Sequence, residues 1–426
     1  MSIDAILLGG QDVTENLFSR VDKQLKRDKR LPGKIASPTL YRPSSLPFFP
    51  WGKDFVKSNA PMPGGPPLGS YAAMTLLLND AVDSFAVTGP RYTAWWTDTL
   101  RSFIIGSRGS CNATQTMLYL DETASSPLLA TKQAINYLKE SSSQPPGKPY
   151  LVFSADTPLQ EIASLHLSDD LLVKASLPSF FKIYGAEASV FEPNLWPRTY
   201  QLALIQDGVF HYAKEPNQGL LRDDKDLFSL LTVLSDYRKG NGLVVAAHKV
   251  LSELASRSDD KVSFYRHASQ FLPHVAEAKL LYSFGRLPRK GIRVDDVLDT
   301  LKQAKLSGIE LTPSGDLREA MDVDTLGCYA KMYALLDKRP EVYAHQDEMQ
   351  DFKERFSFIE ASSLNQRPEG YISHEQMNSY ARLFFGPPIF SKKEVTKEAL
   401  RHYASCTYDD IDALADYLLA SQKTNS

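Results

Sequence analysis

The densest group of side chains that could bind a ligand is a basic turn, residues 286–293. Four cations stand there within eight residues that contain no acid: Arg286, Arg289, Lys290 and Arg293. Guanidinium groups bind phosphate through two parallel hydrogen bonds, and a turn that contains glycine and proline lets the backbone approach a ligand closely. The pattern favours a turn that contacts phosphates, and a solvated basic loop is the alternative.

The familiar motifs of catalysis are missing from the sequence. The chain has no phosphate-binding loop of the Walker type, no dinucleotide fingerprint, no zincin motif and no nucleophile elbow. Gly9-Gly10-Gln11 matches a tripeptide of peptide-release factors, and we treat a match of three residues as chance. The eight histidines form no i,i+4 pair that could bind a metal. The sequence therefore predicts no catalytic residue, no metal site and no cofactor.

Length and charge narrow the class of protein. The 426 residues can form one large core or two smaller ones, and 43% hydrophobic with 23% charged residues is typical of a globular protein. The 48 basic and 51 acidic residues give a net charge of -3, so any site for a polyanion must be a local groove. The three cysteines are far apart, which predicts a reducing compartment and no disulfide framework.

The N-terminal part of the chain is basic and rich in proline. Residues 20–57 hold ten basic and three acidic side chains, a local charge of +7, and prolines with several aromatic residues follow. Proline excludes a helix or a central strand, whereas the aromatic side chains need burial. An extended arm on a packed surface meets both demands, and an irregular loop on the same subunit is equally consistent with the pattern.

Apolar spacing predicts mostly helices after this arm. One helical stripe begins at Ser70 and comprises Tyr71, Met74, Leu78, Val82 and Phe85. We expect a helical piece and two short strands within 90–120, a helix at 126–140, a hairpin turn at Asp207-Gly208, and helices almost throughout from 225 to the last one at about Asp410.

These elements predict a mainly α fold. It would consist of an extended arm (1–69), an N-terminal lobe with a small β-hairpin (70–225) and an all-helical C-terminal lobe (226–426). No apolar stretch approaches the roughly 18 residues of a membrane span, so direct membrane insertion is not expected.

Several patches, in this order, resemble rhabdovirus nucleoproteins. They are SSLPFFPWGKDFVKSNAPMP, WTDTLRSFIIGSRG, YSFGRLPRKGIRVDD, MNSYARLFF and LRHYASCTYDD. Arg-Lys replaces the serine-rich part of the family's turn. The resemblance implies a non-enzymatic nucleoprotein that encloses single-stranded viral RNA between two lobes, without sequence preference, and that forms rings or filaments through exchanged arms.

The same resemblance implies the residues and partners. RNA would contact the cations of the basic turn and six further side chains: Lys214, Arg222, Lys132, Lys139, Lys397 and Arg401. The acidic segment 341–354 would dock the phosphoprotein of the viral polymerase complex, or would be a solvated loop. The protein would occur in the virion and the host cytoplasm, with the nucleus also open.

Two other functions remain open at this point. A capsid subunit of a non-enveloped RNA virus would also combine an extended arm with a near-neutral charge. The third hypothesis, a cytosolic enzyme, is disfavoured by the missing motifs.

Overall fold

A mixed β-sheet organises the described part of the chain. The computed structural model describes residues 3–9, 57–89, 91–109, 115–120, 127–141, 150–161, 181–187, 196, 202–213, 218–221, 251–283, 290–306, 309–314, 317–323, 326–362 and 411–425. The strands are β1 (Ile3–Leu8), β2 (Val82–Thr88), β3 (Gln115–Leu120), β4 (Tyr150–Ser154), β5 (Phe181–Glu187), β6 (Leu202–Gln206), β7 (Val209–Ala213), β8 (Gln218–Leu221), β9 (Ile292–Arg293) and β10 (Ile309–Ser314). Their order is β3-β2-β1-β4-β8-β5-β7-β6-β9, and β10 pairs with β5.

Helices alternate with these strands and extend to the end of the described chain. They are α1 (Leu68–Leu77), α2 (Arg91–Arg108), α3 (Pro127–Ser141), α4 (Lys261–Ala268), α5 (Leu272–Ser283), α6 (Val294–Gln303), α7 (Leu326–Lys338), α8 (Gln346–Ser362) and α9 (Ile411–Asn425). Residues 251–257 are also helical. Short 3-10 segments cover Lys57–Asn59, Ser269–Phe271, Leu317–Ala320 and Pro340–Val342. Among the described helices, none combines the length and the apolar character needed to cross a bilayer.

The first four strands form a parallel half-sheet. Strand β1 pairs in parallel with β2 on one side and with β4 on the other, and β2 pairs in parallel with β3. Parallel neighbours need a crossover connection, and α1, α2 and α3 lie within the three connections. The chain therefore moves outward from β1 to β3 and then returns to the other side of β1.

Helices cover both faces of this half-sheet. Alternate residues of β1 point to opposite faces and pack in two different cores. Ile3, Ala5 and Leu7 belong to a large core that also contains residues of α1, α2, α7, α8 and α9. Ile6 lies on the opposite face and packs with Ile135 of α3. Burial on both faces explains why the apolar residues of β1 do not alternate with polar ones; Asp4, the charged residue of the strand, is also buried.

The second part of the sheet is mixed. Strand β8 runs antiparallel to β4, whereas β10 runs parallel to β5. Strands β6 and β7 form the hairpin predicted at Asp207-Gly208, which is confirmed. Asp207 and Gly208 have φ angles of 51° and 79°, as a two-residue turn with both central residues left-handed requires.

The acidic segment 341–354 takes part in ion pairs within the chain. Arg339 binds Glu341 at 2.6 Å and also reaches Asp412 and Asp416 of α9 at 3.2 and 3.0 Å. The Arg339 guanidinium lowers the pKa of the Glu341 carboxyl. These contacts attach the C-terminal helix to the start of the segment, so part of its charge is neutralised locally. Docking of a phosphoprotein there stays a prediction.

The predicted fold class, two helical lobes with an extended N-terminal arm, is wrong. Strand β1 lies inside the expected arm and occupies the middle of the sheet, while β9 and β10 lie inside the lobe expected to be all-helical. The long-range pairing of β1 with strands about 80 and 150 residues along the chain has no local sequence signal. The boundaries at 69/70 and 225/226 stay a prediction.

Individual helices were predicted better than the fold. The helices expected at 126–140 and from about Asp410 are confirmed as α3 and α9. The helical stripe from Ser70 holds only as far as Leu77, because Val82 and Phe85 belong to β2. Among the described residues of 90–120 there is a helix and one strand, β3, where two strands were expected. The basic, proline-rich stretch up to residue 56 lies outside the described residues.

Candidate functional site

The carboxyl ends of β1, β2 and β4 form the candidate site, which we call the carboxyl edge. It consists of Gly9, Thr88, Gly89, Ser154 and Asp156 together with the side chains that contact them. The chain departs from β1 in one direction to reach β2 and β3, whereas β4 lies on the other side of β1. In open α/β sheets, ligands bind at the carboxyl ends of the strands where the strand order reverses.

Gly9 sits where a side chain would be excluded. Its N–H donates to the carbonyl oxygen of Thr88 over 2.8 Å, and an added Cβ would lie 2.1 Å from that same oxygen. On the other side, the N–H of Ala155 donates to the carbonyl oxygen of Leu8 over 3.0 Å. The backbone of β1 therefore stays tightly held on both sides up to the carboxyl edge.

Replacement of Gly9 by alanine is expected to destabilise the protein by roughly 1–3 kcal/mol, because the new methyl group must displace the backbone of β2. Chemical denaturation of the full chain measures the effect. Gly106→Ala is the matched control, since a Cβ there meets no atom within 4 Å in the exposed part of α2. Alanine should stabilise that helical position by about 0.5–1 kcal/mol. Equal effects of the two substitutions would contradict the close approach at Gly9.

The 3-10 segment Lys57–Asn59 lies against Gly9. The hydroxyl of Ser58 donates to the carbonyl oxygen of Gly9. Asn59 Oδ1 accepts two hydrogen bonds from α2, from Thr93 Oγ1 at 2.9 Å and from Trp96 Nε1 at 2.8 Å. This segment therefore links the end of β1 to the first two turns of α2.

Asp156 supplies a carboxylate immediately after β4. Its Oδ1 accepts a hydrogen bond from the hydroxyl of Ser154, and Thr157 Oγ1 donates to the carbonyl oxygen of Ser154 at 2.7 Å. These bonds make the chain turn tightly as it leaves the strand. The side chain of Asp156 is partly exposed, so a ligand at the carboxyl edge can reach it.

A distant segment, residues 317–323, packs against the same turn. The N–H of Val323 donates to the carbonyl oxygen of Asp156 over 2.9 Å. Arg318 forms an ion pair with Glu161, and only 4% of the Arg318 side chain is exposed. The C-terminal part of the chain therefore helps to fix the position of Asp156.

The carboxylate of Asp156 is the ligand that the carboxyl edge could offer to a metal ion. Mg²⁺ is held in many phosphate-binding sites by one or two carboxylates, water and the phosphates of the substrate. Asp156 fits the role of the protein carboxylate. In the described part of the chain, no group of three or more His, Cys, Asp or Glu residues is arranged to hold a metal by itself.

Four of the ten predicted RNA-binding residues belong to the described part of the chain, and they lie on two separate elements. Lys132 and Lys139 lie on α3, which packs against β1, β2 and β3. Lys290 and Arg293 lie at β9, at the other end of the sheet order, where Arg293 pairs with Asp295 at 3.6 Å. Six further residues fall outside the described ones: Arg286, Arg289, Lys214, Arg222, Lys397 and Arg401. As RNA contacts, all ten stay predictions.

Sequence reasoning missed the residues of the carboxyl edge. Two signals were present: Gly9-Gly10 directly follows the apolar run of β1, and Ser154-Ala155-Asp156-Thr157 directly follows the apolar run of β4. Small and polar residues placed after buried strands are typical of ligand-binding loops in α/β proteins.

Comparisons with known proteins give structural likeness without sequence relatives. No family model and no curated protein matches the chain. A hypothetical transferase from Thermus thermophilus is 12% identical, with 76% of this chain and 97% of that chain covered and a TM-score of 0.37. A CMP:2-keto-3-deoxy-manno-octonic acid synthetase complexed with CTP is 11% identical over 79% and 98%, with a TM-score of 0.37. A 4-diphosphocytidyl-2C-methyl-D-erythritol synthase from Anaerococcus prevotii is 10% identical over 80% and 96%, with a TM-score of 0.30.

The expected rhabdovirus-like nucleoprotein is wrong, and so are the non-enzymatic RNA coat and the alternative capsid subunit. The described chain forms a ten-stranded sheet with helices packed on it, where the resemblance implied two helical lobes. Single-stranded RNA, self-association, the phosphoprotein and polymerase complex, and the virion or host cytoplasm stay predictions. At TM-scores below 0.5 the likeness assigns no activity to this chain.

Proposed function

We propose that the chain is an enzyme that binds a nucleoside triphosphate at the carboxyl edge and transfers a phosphate-containing group from it to a second substrate. The observation that carries the proposal is the reversal of strand order at β1, with Gly9 at its end packed directly on Thr88. Such a reversal marks the ligand site of nucleotide-binding α/β folds. A glycine at this point lets the backbone approach phosphate oxygens.

Asp156 gives the proposal its chemistry. A magnesium ion held by this carboxylate would neutralise negative charge on the phosphates during transfer. The hydrogen bond from Ser154 holds the carboxylate in one orientation, and the contact between Val323 and the Asp156 backbone fixes the turn. The described residues thus hold the Asp156 carboxylate close to the end of β1.

Calorimetric titration of the full chain with ATP, CTP, GTP and UTP, each with magnesium chloride, tests the proposal. We expect saturable binding of at least one of them, and weaker binding of the corresponding nucleoside, because the phosphates provide the main contacts. Failure of all four to bind at millimolar concentration would overturn the proposal. Release of pyrophosphate that requires a second substrate would identify transfer of a nucleoside monophosphate, and release of nucleoside diphosphate would identify transfer of a phosphoryl group.

A further inference from the structure

The first turn of α2 lies at the carboxyl edge and has hydrogen-bond donors to offer. This helix of 18 residues begins at Arg91, two residues after Gly89, and has no acidic residue in its first turn. The first four N–H groups of a helix have no partner within the helix, and its N-terminal end carries a partial positive charge. A side chain from another segment adds a further donor beside this end of the helix.

The side-chain amide of Asn59 supplies this donor. Asn59 is 1% exposed, and its Nδ2 has no hydrogen-bond partner. The indole of Trp96 can only donate, so the oxygen of the Asn59 amide must face Trp96 and the NH₂ group must face away. Because Oδ1 also accepts from Thr93 in the first turn of α2, the unpartnered donor lies beside that turn. A buried donor without a partner is unfavourable, and a bound acceptor would remove that cost.

The first turn of α2 packs closely against Gly9 and Gly89. An added Cβ on Gly89 would lie 2.9 Å from Thr93 Oγ1, and one on Gly9 would lie 3.1 Å from Thr93 Cγ2. Thr93 therefore fills the space between the ends of β1 and β2. The donors of the turn and the Asn59 amide thus lie next to the carboxyl edge, where the ligand is proposed to bind.

We propose that the first turn of α2 and the Asn59 amide form a subsite for a phosphoryl group of the bound nucleotide. The inference rests on the proposed function and adds the group that is recognised. Phosphate suits the subsite because its oxygens are anionic acceptors, and hydrogen bonds to an anion are about twice as strong as those between neutral groups. Burial of Asn59 strengthens the interaction, since little water competes there.

Asn59→Asp tests the subsite with little change of shape. Aspartate can still accept from Thr93 and Trp96, but it replaces the free donor by an anionic oxygen. Calorimetric titration should show affinity for the nucleoside triphosphate lowered by at least about tenfold, the value of one charge-assisted hydrogen bond. Asn79→Asp is the matched control: it adds the same charge at the amino end of β2, where Asn79 Oδ1 accepts from Ala81 N at 2.9 Å, and it should leave affinity unchanged. Equal affinity of Asn59→Asp and the unchanged protein would overturn the subsite while the proposed function stands.

Hydrogen exchange on the unchanged protein tests the subsite without a substitution, also if Asn59→Asp does not fold. Inorganic pyrophosphate with magnesium chloride should slow exchange of the amides of residues 91–94 and leave those at the start of α3 unaltered. Protection there without binding of any nucleoside triphosphate would support the subsite and overturn the proposed function. Unchanged exchange at residues 91–94 under saturating nucleoside triphosphate or pyrophosphate would overturn the subsite.

Discussion

Replacement of Asp156 by asparagine is expected to abolish the gain in nucleotide affinity that magnesium provides. The amide keeps the size of the side chain and can still accept from Ser154, but it loses the charge that holds a divalent cation. Affinity for the nucleoside triphosphate in magnesium chloride should fall by about ten- to a hundredfold, the range for one interaction with a charged group. Titrations with magnesium and with excess chelator measure the difference directly.

Asp80→Asn is the matched control for this substitution. Asp80 is exposed and precedes β2, at the opposite edge of the half-sheet, so its charge lies far from the carboxyl edge. The control should retain the full effect of magnesium. If Asp156→Asn binds nucleotide with the same dependence on magnesium as the unchanged protein, Asp156 is not the magnesium carboxylate.

Local structure could be predicted from this sequence wherever local residues determine it. The hairpin at Asp207-Gly208 is set by two residues that accept left-handed angles, and α3 is set by the spacing of its own apolar side chains. Each signal lies within a window of about fifteen residues. Prediction from the sequence therefore succeeded for elements whose determinants are adjacent in the chain.

The parallel strands escaped prediction for a physical reason. Strand β2 is buried on both faces, so its apolar residues do not alternate with polar ones. Val82 and Phe85 are three residues apart and happen to continue the spacing of α1, which made one long helix the simplest interpretation. Without β2, neither the sheet nor its carboxyl edge could be inferred.

The candidate site could not be predicted either, because it also depends on strands that are far apart in the sequence. The cations of the basic turn attract notice because charge is visible in a sequence, whereas Gly9 and Asp156 become significant only when β1 and β4 are known to be neighbours. Their chemistry depends on an arrangement of strands that are far apart in the chain. Sequence motifs therefore indicate the basic turn but not the carboxyl edge.

Replacement of Glu161 by glutamine is expected to lower the free energy of unfolding by about 3–5 kcal/mol, the usual cost of removing one partner of a buried ion pair. Arg318 is 4% exposed, and the substitution would leave its guanidinium in a dry environment without the charge of this carboxylate. Denaturant unfolding of the full chain measures the loss. Glu161→Gln combined with Arg318→Met should recover part of it, because the buried guanidinium that loses this carboxylate is then absent.

Asp299→Asn is the control, because the pair of Asp299 with Lys302 is exposed by 59% and 68% and should contribute no more than about 1 kcal/mol. If Glu161→Gln lowers the free energy of unfolding by no more than Asp299→Asn does, the ion pair of Arg318 with Glu161 is solvated.

The ion pair of Arg318 with Glu161 should also affect function. The segment 317–323 holds the Asp156 turn through Val323, so a loosened segment should weaken magnesium-dependent nucleotide binding as well. If stability falls and nucleotide affinity does not, Asp156 is positioned by β4 alone. If both fall together, the C-terminal part of the chain is needed to complete the carboxyl edge.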